Sequence, residues 1–390
     1  MRKNIFLCQL AIDGMPSEIE AQSPAGNLAQ LGIISALKKI PDSKLSVFTY
    51  PPNRTWPEGK LLQYKFGCLE HTGVKIYYPG YICLPVFREF FINFFAAVFL
   101  LFKARKDDNI WLYNMDIPSV LPVLVLSKII RFKVFVFAYD IHVPGQTVPN
   151  TFRWRLRKLK YKYGLKFSTG VVAITKALAK DFSVLDKSIV CHGGVDENII
   201  GINKFDFKKD IKTFVFAGRL EDDNSICEIV DAFSMLNDES TYLTIIGDGP
   251  LRAYVENACL KNNRIKYMGK VTHSVVMREY ESAYAILCIR KYKSIETPYL
   301  FPSKLLEAIS TGAIVLSTPI DFTVGDLNSI SLVLNGDSLN DVLNGYRNAL
   351  QIEISVAEKM REMALLTAKE RLLWSSYTDD FVKLSVSEIK

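Results

Sequence analysis

A short segment in the second half of the chain combines residue types that suit a phosphate and a sugar diol. Phe301–Pro319 has the sequence FPSKLLEAISTGAIVLSTP. Pro302 favours a first helical turn, so the amides of Ser303 and Lys304 are expected to point outward at the positive end of a helix dipole, which suits a phosphate. Glu307, one turn later, could accept hydrogen bonds from a vicinal diol such as a ribose. The alternative is an ordinary helix, turn and strand.

Length and composition indicate a folded protein of two domains. The 390 residues exceed one typical core, and 49% hydrophobic with 23% charged residues excludes disorder. The seven cysteines include no CxxC pair, which argues against a zinc site or a disulfide framework and fits a reducing compartment. The first residues, MRKNIFLCQL, contain an apolar run too short for a signal peptide and predict a first strand.

Short apolar or β-branched runs alternate with helical patterns, which predicts an α/β protein with parallel sheets covered on both faces. We expect strands at 5–10, 45–50, 74–78, 110–113, 134–138, 171–174 and 188–191, and again at 213–217, 243–246, 265–268, 285–289 and 313–317. A polar segment near Lys204 interrupts the alternation. We therefore expect a Rossmann-like domain over 1–203, a second over 204–371, and a C-terminal helix over 372–390 that packs back on the first domain. The two halves are expected to face each other across a cleft, with ligands at the carboxyl ends of the strands.

Glycines mark two turns at which a ligand could approach the backbone. Ala25 and Gly26 stand where the first helix begins, and Gly247, Gly249 and Pro250 form a turn between a strand and a helix. A single glycine is a weak signal, so the first turn carries little information alone.

Positive charge is concentrated in one part of the first half. The net charge is +7, and no acidic residue lies between Ile141 and Lys180. The segment 151–166, TFRWRLRKLKYKYGLK, interleaves basic and aromatic residues, a pattern that suits an anionic membrane surface. A solvated helix face is the alternative. Nucleic acid ranks third because no binding motif accompanies the patch, and we expect no nucleic-acid partner.

Two apolar runs are too short to span a bilayer. Phe90–Phe102 has 13 residues, and Ile117–Ile130 contains two prolines and a lysine. The first is expected to be a buried core helix, with an interfacial helix as the second interpretation. We therefore expect no transmembrane segment.

Four motifs in order carry a resemblance to a known family. These are FVFAGRL, LTIIGDGPLRAYVENA, IKYMGKV and FPSKLLEAISTGAIVLSTP. They resemble the donor domain of retaining glycosyltransferases of the GT-B fold, in the large bacterial family that builds surface polysaccharide and lipopolysaccharide. In the first half, GVVAITKALAKDF and VCHGGVDENI resemble further family segments.

The resemblance implies roles for the donor site. Arg219, after Gly218, matches the arginine that holds the donor diphosphate, and Glu307 matches the glutamate that binds the ribose. The amides of Ser303 and Lys304 would meet the β-phosphate. Gly249 is expected in the same donor site. Ala25 and Gly26 match a Gly-Gly pair near donor and acceptor.

Three positions depart from the family pattern. Asn224 and Ser225 replace the usual lysine and glycine after the arginine, within an acidic EDDN loop. Tyr299 replaces the first glutamate of the usual pair, with Glu296 as the nearest carboxylate. The departures could mean an altered donor, a compensating Lys304 or an inactive protein, and we favour compensation.

The resemblance also implies a catalytic edge in the first half. The family tends to place a histidine there that faces the donor sugar, and Asp140 aligns best with it, followed by His142. The alternative is that Asp140 caps a loop and His142 is an exposed turn residue. No Asp-x-Asp motif is present, so no metal and no cofactor are expected.

The resemblance as a whole implies a cytoplasmic enzyme, peripheral on the inner face of the cell membrane. It would move a sugar from a nucleotide-diphosphate sugar to a hydroxyl of a glycan or lipid-linked oligosaccharide. Its partners would be the nucleotide sugar, that acceptor and an anionic membrane surface. The alternatives are a nucleotide-sugar epimerase of the same fold and an inactive homologue that binds glycan or a partner subunit.

Overall fold

The protein is described from a computed structural model, which covers residues 2–15, 24–50, 56–63, 66–114, 120–139, 141, 151–291, 299, 301–320 and 325–386. The chain divides into two compact units. Unit 1 comprises Met1–Gly194, Thr297–Phe301 and Trp374–Lys390, and unit 2 comprises Val195–Glu296 and Pro302–Leu373.

Unit 1 contains an eight-stranded sheet and a short two-stranded one. Its strands are β1 (Arg2–Cys8), β2 (Ser43–Thr49), β3 (Leu62–Gln63), β4 (Gly67–His71), β5 (Val74–Tyr78), β6 (Tyr81–Ile82), β7 (Asn109–Tyr113), β8 (Lys133–Ala138), β9 (Gly170–Ala173) and β10 (Ser188–Val190). The large sheet has the order β10-β9-β8-β7-β1-β2-β5-β4, and β4 is its antiparallel edge strand. The central strands are buried apolar runs, as expected for a parallel sheet covered on both faces.

The helices of unit 1 cover both faces of this sheet. They are α1 (Pro24–Lys38), α2 (Pro85–Lys103), α3 (Val120–Ile130), α4 (Phe152–Phe167), α5 (Lys176–Asp181) and the C-terminal α13 (Thr378–Val386). On one face, Phe48 of β2 contacts Phe99 of α2. On the other, Trp111 of β7 and Phe137 of β8 contact Phe381 of α13. Successive residues of a strand point to opposite faces of the sheet. Phe48 is the register partner of Leu7 and Trp111 is that of Phe6, so Phe48 and Trp111 lie on opposite faces.

Unit 2 is built on one parallel sheet. Its strands are β11 (Lys212–Ala217), β12 (Thr241–Ile246), β13 (Ile265–Tyr267), β14 (Ala285–Cys288), β15 (Ile314–Ser317) and β16 (Leu332–Val333), in the order β13-β12-β11-β14-β15-β16. Its helices are α6 (Ile226–Ser234), α7 (Arg252–Lys261), α8 (His273–Glu281), α9 (Ser303–Thr311), α10 (Leu327–Ile330), α11 (Leu339–Gln351) and α12 (Ile354–Thr367), and α12 continues into a π-helical turn over Ala368–Leu372.

The boundary between the units precedes the expected one near Lys204. Asn203 belongs to unit 2 because its side-chain amide donates to the carbonyls of Tyr280 and Ala283. Arg361 of α12 donates to the Asn203 side chain and to the carbonyl of Gly312. The polar segment near Lys204 is therefore part of unit 2. The C-terminal piece assigned to unit 1 begins at Trp374 rather than at residue 372.

Each of the twelve predicted strands is present, and no end differs from the prediction by more than three residues. The structure adds strands that the pattern did not indicate, and β4 is one of them because its exposed and half-buried residues alternate at a sheet edge. The expectation of a buried core helix over Phe90–Phe102 is wrong for one side of α2. Ile92 and Ala96 are buried, whereas Phe90 and Phe94 are exposed. Among the described helices, none combines the length and the hydropathy needed to cross a bilayer.

Candidate functional site

The candidate site lies at the carboxyl edge of the unit 2 sheet. Since all six strands are parallel, their carboxyl ends share one edge, where open α/β sheets bind ligands. Gly218 follows β11, Gly247 follows β12, Arg290 lies two residues after β14, and Thr318 follows β15. The N-terminus of α9 brings further polar groups to Gly218.

Glycines allow the loops after β11 and β12 to touch. The Gly218 amide donates to the Ile246 carbonyl at 2.8 Å. Gly247 has a φ of +140°, and a Cβ there would lie 1.7 Å from the Gly218 carbonyl oxygen. A Cβ on Gly249 would lie 2.4 Å from the Leu220 carbonyl oxygen. Gly249, predicted as a donor-site residue, therefore has a packing role that explains its identity without a ligand.

Lys304 reaches from α9 to the end of β11. The helix begins at Ser303, with Pro302 as its N-cap, so the sequence predicted this start to within one residue. A Cβ on Gly218 would lie 2.0 Å from Lys304 Nζ, so the ammonium lies directly against this glycine. The ammonium also lies 5.7 Å from the Phe216 ring centroid, within the range of a cation–π contact.

The Lys304 ammonium has a distinct electrostatic environment. Its pKa is lowered, mainly because burial removes the ammonium from water, and Arg290 adds a like-charge effect. Within the described ranges, no carboxylate lies within ion-pair distance of Nζ. A half-buried cation without an ion-pair partner in these ranges is suited to an anionic ligand.

Arg290 adds a second cationic group that sequence reasoning missed. Its backbone amide donates to Thr318 Oγ1 at 3.2 Å, which holds the end of β14 against the end of β15. Its side-chain Nε is buried and has no acceptor among the residues that the structure describes. Buried donors are normally paired, so an anion is a natural partner for this group. Its place just after an apolar strand, in AILCIRK, is the signal that could have identified it.

Arg219, the predicted diphosphate ligand, is directed to an acidic neighbour. Its Nε lies 2.9 Å from a carboxylate oxygen of Glu221, and the side chain is 69% exposed. Arg219 lies just after β11, at the carboxyl edge of the sheet. To bind a phosphate, its guanidinium would have to break its ion pair with Glu221 or contact both groups. An exposed pair of this kind contributes about 0–1 kcal/mol, so the exchange is inexpensive.

The departures after Arg219 have structural explanations. Asn224 is buried, and its side-chain amide donates to the Arg219 carbonyl at 2.8 Å, which fixes the loop. Ser225 has a φ of +50°, the left-handed region that favours glycine. Lys291, after β14, pairs with Asp222 of the acidic loop and with Glu228. The acidic loop is therefore neutralised from within unit 2.

Glu307 forms part of a small titratable cluster. Its Oε1 lies 3.4 Å from Nε2 of His273, the first residue of α8. The pKa of His273 is raised, mainly by its hydrogen bond with Glu307. The pKa of Asp196 is raised by partial removal from water, opposed by His273, with Glu307 as a further cause of the rise. Sequence reasoning missed both His273 and Asp196, because nothing in the local pattern links them to Glu307.

Several predicted residues lie elsewhere. Tyr299, at the position of a usual glutamate, belongs to unit 1, where its hydroxyl donates to Asp181 at 2.7 Å. Ala25 and Gly26 lie in the first turn of α1 in unit 1, and the Gly26 carbonyl accepts from Gln30.

Asp140, His142 and Glu296 lie outside the described residues, so the catalytic assignment stays a prediction. Over the described ranges, no group of three or more His, Cys, Asp or Glu side chains is arranged to hold a metal ion. The structure thus brings together Gly218, Ser303 and Lys304 of the predicted donor site, with Arg219 and Glu307 on neighbouring elements of unit 2.

The comparisons with known families concern the same unit. Residues 211–340 match the sequence model of the family described as glycosyl transferases group 1. The matched segment begins just before β11 and extends into α11, so it includes Gly218, Lys304 and Glu307. A search of curated proteins finds no match.

Solved structures share the whole architecture. An α,α-trehalose-phosphate synthase (UDP-forming) from Burkholderia vietnamiensis aligns with a TM-score of 0.71 at 13% identity, covering 99% of this chain and 98% of that one. A sucrose-phosphate synthase from Thermosynechococcus elongatus aligns with a TM-score of 0.65 at 15% identity and 98% coverage of both chains. The catalytic domain of starch synthase IV from Arabidopsis thaliana, bound to ADP and acarbose, aligns with a TM-score of 0.65 at 11% identity and 98% coverage of both.

These identities establish the fold alone. The chain has the GT-B fold, with two Rossmann-like α/β units, and the fold prediction is confirmed. The family match over residues 211–340 supports a glycosyltransferase domain in unit 2.

Proposed function

We propose that the protein is a retaining glycosyltransferase that moves a sugar from a nucleoside-diphosphate sugar to a hydroxyl of a glycan or lipid-linked acceptor in surface-polysaccharide biosynthesis. The observation that carries the proposal is Lys304, whose ammonium lies against Gly218 at the carboxyl edge of the matched domain. A diphosphate placed there would meet the lysine, the first amides of α9 and the Nε of Arg290, which has no acceptor among the described residues.

These groups would act where negative charge develops. As the bond between the sugar and the diphosphate breaks, the leaving diphosphate gains charge, and fixed cations lower the energy of that state. Lys304 would supply the positive charge that Asn224 does not. We propose that Lys304, Arg290, Arg219 and the helix terminus meet this charge without a divalent ion.

Glu307 would bind the ribose of the donor. A carboxylate can accept two hydrogen bonds from vicinal hydroxyls, and His273 orients this one from the start of α8. His273 would therefore be a positioning residue, since its nearest polar contact is Glu307 rather than a reacting atom.

The sugar-facing chemistry is assigned to unit 1. Asp140 or His142 would stabilise the sugar as the glycosidic bond breaks, and the Ala25–Gly26 turn would lie near the acceptor. Alanine variants of Asp140 and His142 should lose turnover with little change in nucleotide affinity. The reaction would take place on the cytoplasmic side of the cell membrane, where a lipid-linked acceptor is presented.

The test is a donor screen with the full chain. Each nucleotide sugar is incubated with and without an acceptor lipid extract or oligosaccharide, and the released nucleoside diphosphate and the anomeric configuration of the product are measured. Release that depends on acceptor, with retained configuration, supports the proposal. Conversion of the sugar without acceptor would indicate an epimerase. Absence of both reactions, with glycan binding retained, would indicate an inactive homologue.

The matched variants are Glu307→Gln and Glu256→Gln. Glu256 is an exposed carboxylate of α7 in the same unit, paired with Arg252. The first change should raise KM for the donor about tenfold or more, as for loss of a hydrogen bond to a charged group. The second should leave KM unchanged. Equal KM values in both variants would remove Glu307 from the donor site.

A further inference from the structure

Three neighbouring helices of unit 1 expose apolar side chains in ordered stripes. α2 packs against α3, and α3 packs against α4, so the three lie in a row. Twelve of their large apolar side chains are about half or more exposed. They are Phe87, Phe90, Phe94, Leu101, Phe102, Leu121, Val125, Ile129, Phe152, Leu159, Tyr163 and Phe167. At roughly 100 Å² each, they expose on the order of 1,000 Å² of side-chain surface, summed over the three helices.

The exposed stripe of α2 is the reverse of its buried side. Phe87, Phe90 and Phe94 follow at helical spacing and are 58%, 63% and 52% exposed, whereas Ile92 and Ala96 are buried. Residues three and four apart lie on one side of a helix, so the phenylalanines form one ridge. This ridge belongs to the helix that the sequence favoured as a core element.

The other two helices repeat the arrangement. In α3, Leu121, Val125 and Ile129 are exposed at intervals of four residues. In α4, Phe152, Leu159, Tyr163 and Phe167 form the outer stripe, while Tyr161 and Leu165 are buried. Each helix therefore exposes apolar side chains on the side opposite its buried ones, whereas a helix that faces only water usually has a polar outer side.

Positive charge borders the apolar stripes. On α4, exposed Arg155, Lys158, Lys162 and Lys166 follow at helical spacing beside the apolar stripe. These four line a groove of about 830 Å³ together with Leu159, Phe182, Ser183, Tyr299 and one carboxylate, Asp181, which accepts a hydrogen bond from the Tyr299 hydroxyl. α3 and α4 contain no acidic residue. Exposed Lys103, Arg105, Lys128 and Arg131 lie at or just beyond the C-terminal ends of α2 and α3.

We propose that the outer side of α2, α3 and α4 is a docking surface for an anionic lipid bilayer. Aromatic and aliphatic side chains would enter the headgroup boundary, and the lysines and arginines would meet lipid phosphates, as in interfacial amphipathic helices. The groove on α4 has room for a phosphate-bearing headgroup. A second copy of the chain fits less well, because pairing this surface with itself would bring the basic stripes together.

The proposal does not rest on sugar transfer, because binding to vesicles requires neither nucleotide nor acceptor. The purified full chain is mixed with vesicles of phosphatidylcholine and with vesicles that also contain phosphatidylglycerol, and the bound fraction is measured by co-sedimentation at low and high salt. We expect strong partition onto the anionic vesicles and a marked loss at high salt. Equal partition onto both vesicle types at low salt would overturn the proposal.

Two sets of variants separate the contributions. Combining Lys158→Gln, Lys162→Gln and Lys166→Gln should lower partition onto anionic vesicles by about two orders of magnitude. Combining Phe90→Ser and Phe94→Ser should lower partition onto both vesicle types by about tenfold or more. All five side chains are exposed, so circular dichroism should show folded protein. Phe94→Gln alone serves if the double change impairs folding.

Matched controls come from unit 2. Exposed Lys208, Lys209 and Lys261 changed to glutamine, and exposed Ile211 and Leu260 changed to serine, remove the same numbers of charges and apolar groups elsewhere. These controls should bind vesicles as the wild type does. Equal losses in test and control variants would indicate a general charge effect and overturn the proposal. So would a concentration-dependent dimer, detected by sedimentation, that Phe90→Ser and Phe94→Ser abolish without any change in vesicle binding.

Discussion

Replacing Lys304 by methionine separates a role in donor binding from a role in folding. The ammonium is half-buried, lies against Gly218 and has no ion-pair partner in the described part of the chain. A hydrogen bond from a charged donor is worth about 1.5–3 kcal/mol, so loss of a contact to a diphosphate should weaken binding by about 10- to 150-fold. Methionine has a similar length and no charge, so it removes the cost of burying the ammonium.

The two effects have opposite signs. In Lys304→Met, the affinity for UDP, ADP or GDP, measured by calorimetry, should fall, while the thermal midpoint should stay the same or rise. Lys209→Met, an exposed lysine of the same unit, should change neither quantity. A folded Lys304→Met protein that binds nucleoside diphosphate as tightly as the wild type would refute the assignment.

The pH dependence supplies a second signature. Burial lowers the pKa of Lys304, so its positive charge is lost at a less alkaline pH than for an exposed lysine. Affinity of the wild type for nucleoside diphosphate should therefore decline as the pH rises through this lowered pKa. The decline should be absent in Lys304→Met. If both proteins decline in parallel, another group is responsible.

Three further predictions concern the same unit. Because Glu307 raises the pKa of His273, the pair should stabilise the fold below the unfolded-state pKa of about 6.5 and lose this effect as the pH rises through the raised value. His273→Asn should thus lower the free energy of unfolding, measured with urea, at acidic pH only, by no more than about 1 kcal/mol for so exposed a pair, and a Glu307→Gln background should abolish the difference. Gly247→Ala should lower the free energy of unfolding, measured with urea, by about 2 kcal/mol or more. Gly269→Ala, with a φ of +68° and nothing within 4 Å of the added Cβ, should lower it by only about 1 kcal/mol. Equal losses in the two variants would contradict the close contact between Gly247 and the Gly218 carbonyl. Exhaustive treatment with EDTA should leave donor turnover unchanged, and recovery of lost activity by added Mg²⁺ or Mn²⁺ would show that a divalent ion shares the diphosphate.

The departures from the family pattern show how position and role separate. The sequence marked Asn224 as a missing lysine, and the structure shows its amide holding the Arg219 carbonyl. Asn224→Asp would keep the shape and remove that donor, so its destabilisation would measure the loop contact. The structure also gives one acidic residue near Arg219 a partner. Asp222 forms an ion pair with Lys291, which follows β14 and is distant in sequence.

Local sequence patterns predicted the positions of the strands along the chain, the α/β class and the start of α9. Apolar runs of strand length, Pro302 before a helical pattern and Gly312 after it are determined by interactions within a few residues. For the same reason Lys304 and Glu307 could be placed on one helix from spacing alone, and motifs in a fixed order were sufficient to suggest the GT-B fold.

Only the tertiary structure decided which distant groups meet these residues and which sides of the apolar helices are covered. Arg290 and His273 reach the site because parallel strands end at one edge; the strand before Arg290 gives a local signal for its position, whereas no local pattern links His273 to Glu307. Phe90–Phe102 contains a single polar residue, Asn93, so periodicity could not distinguish a buried helix from an interfacial one. The choice depends on what packs against each side, and the fold of unit 1 buries Ile92 and Ala96 but leaves Phe90 and Phe94 exposed.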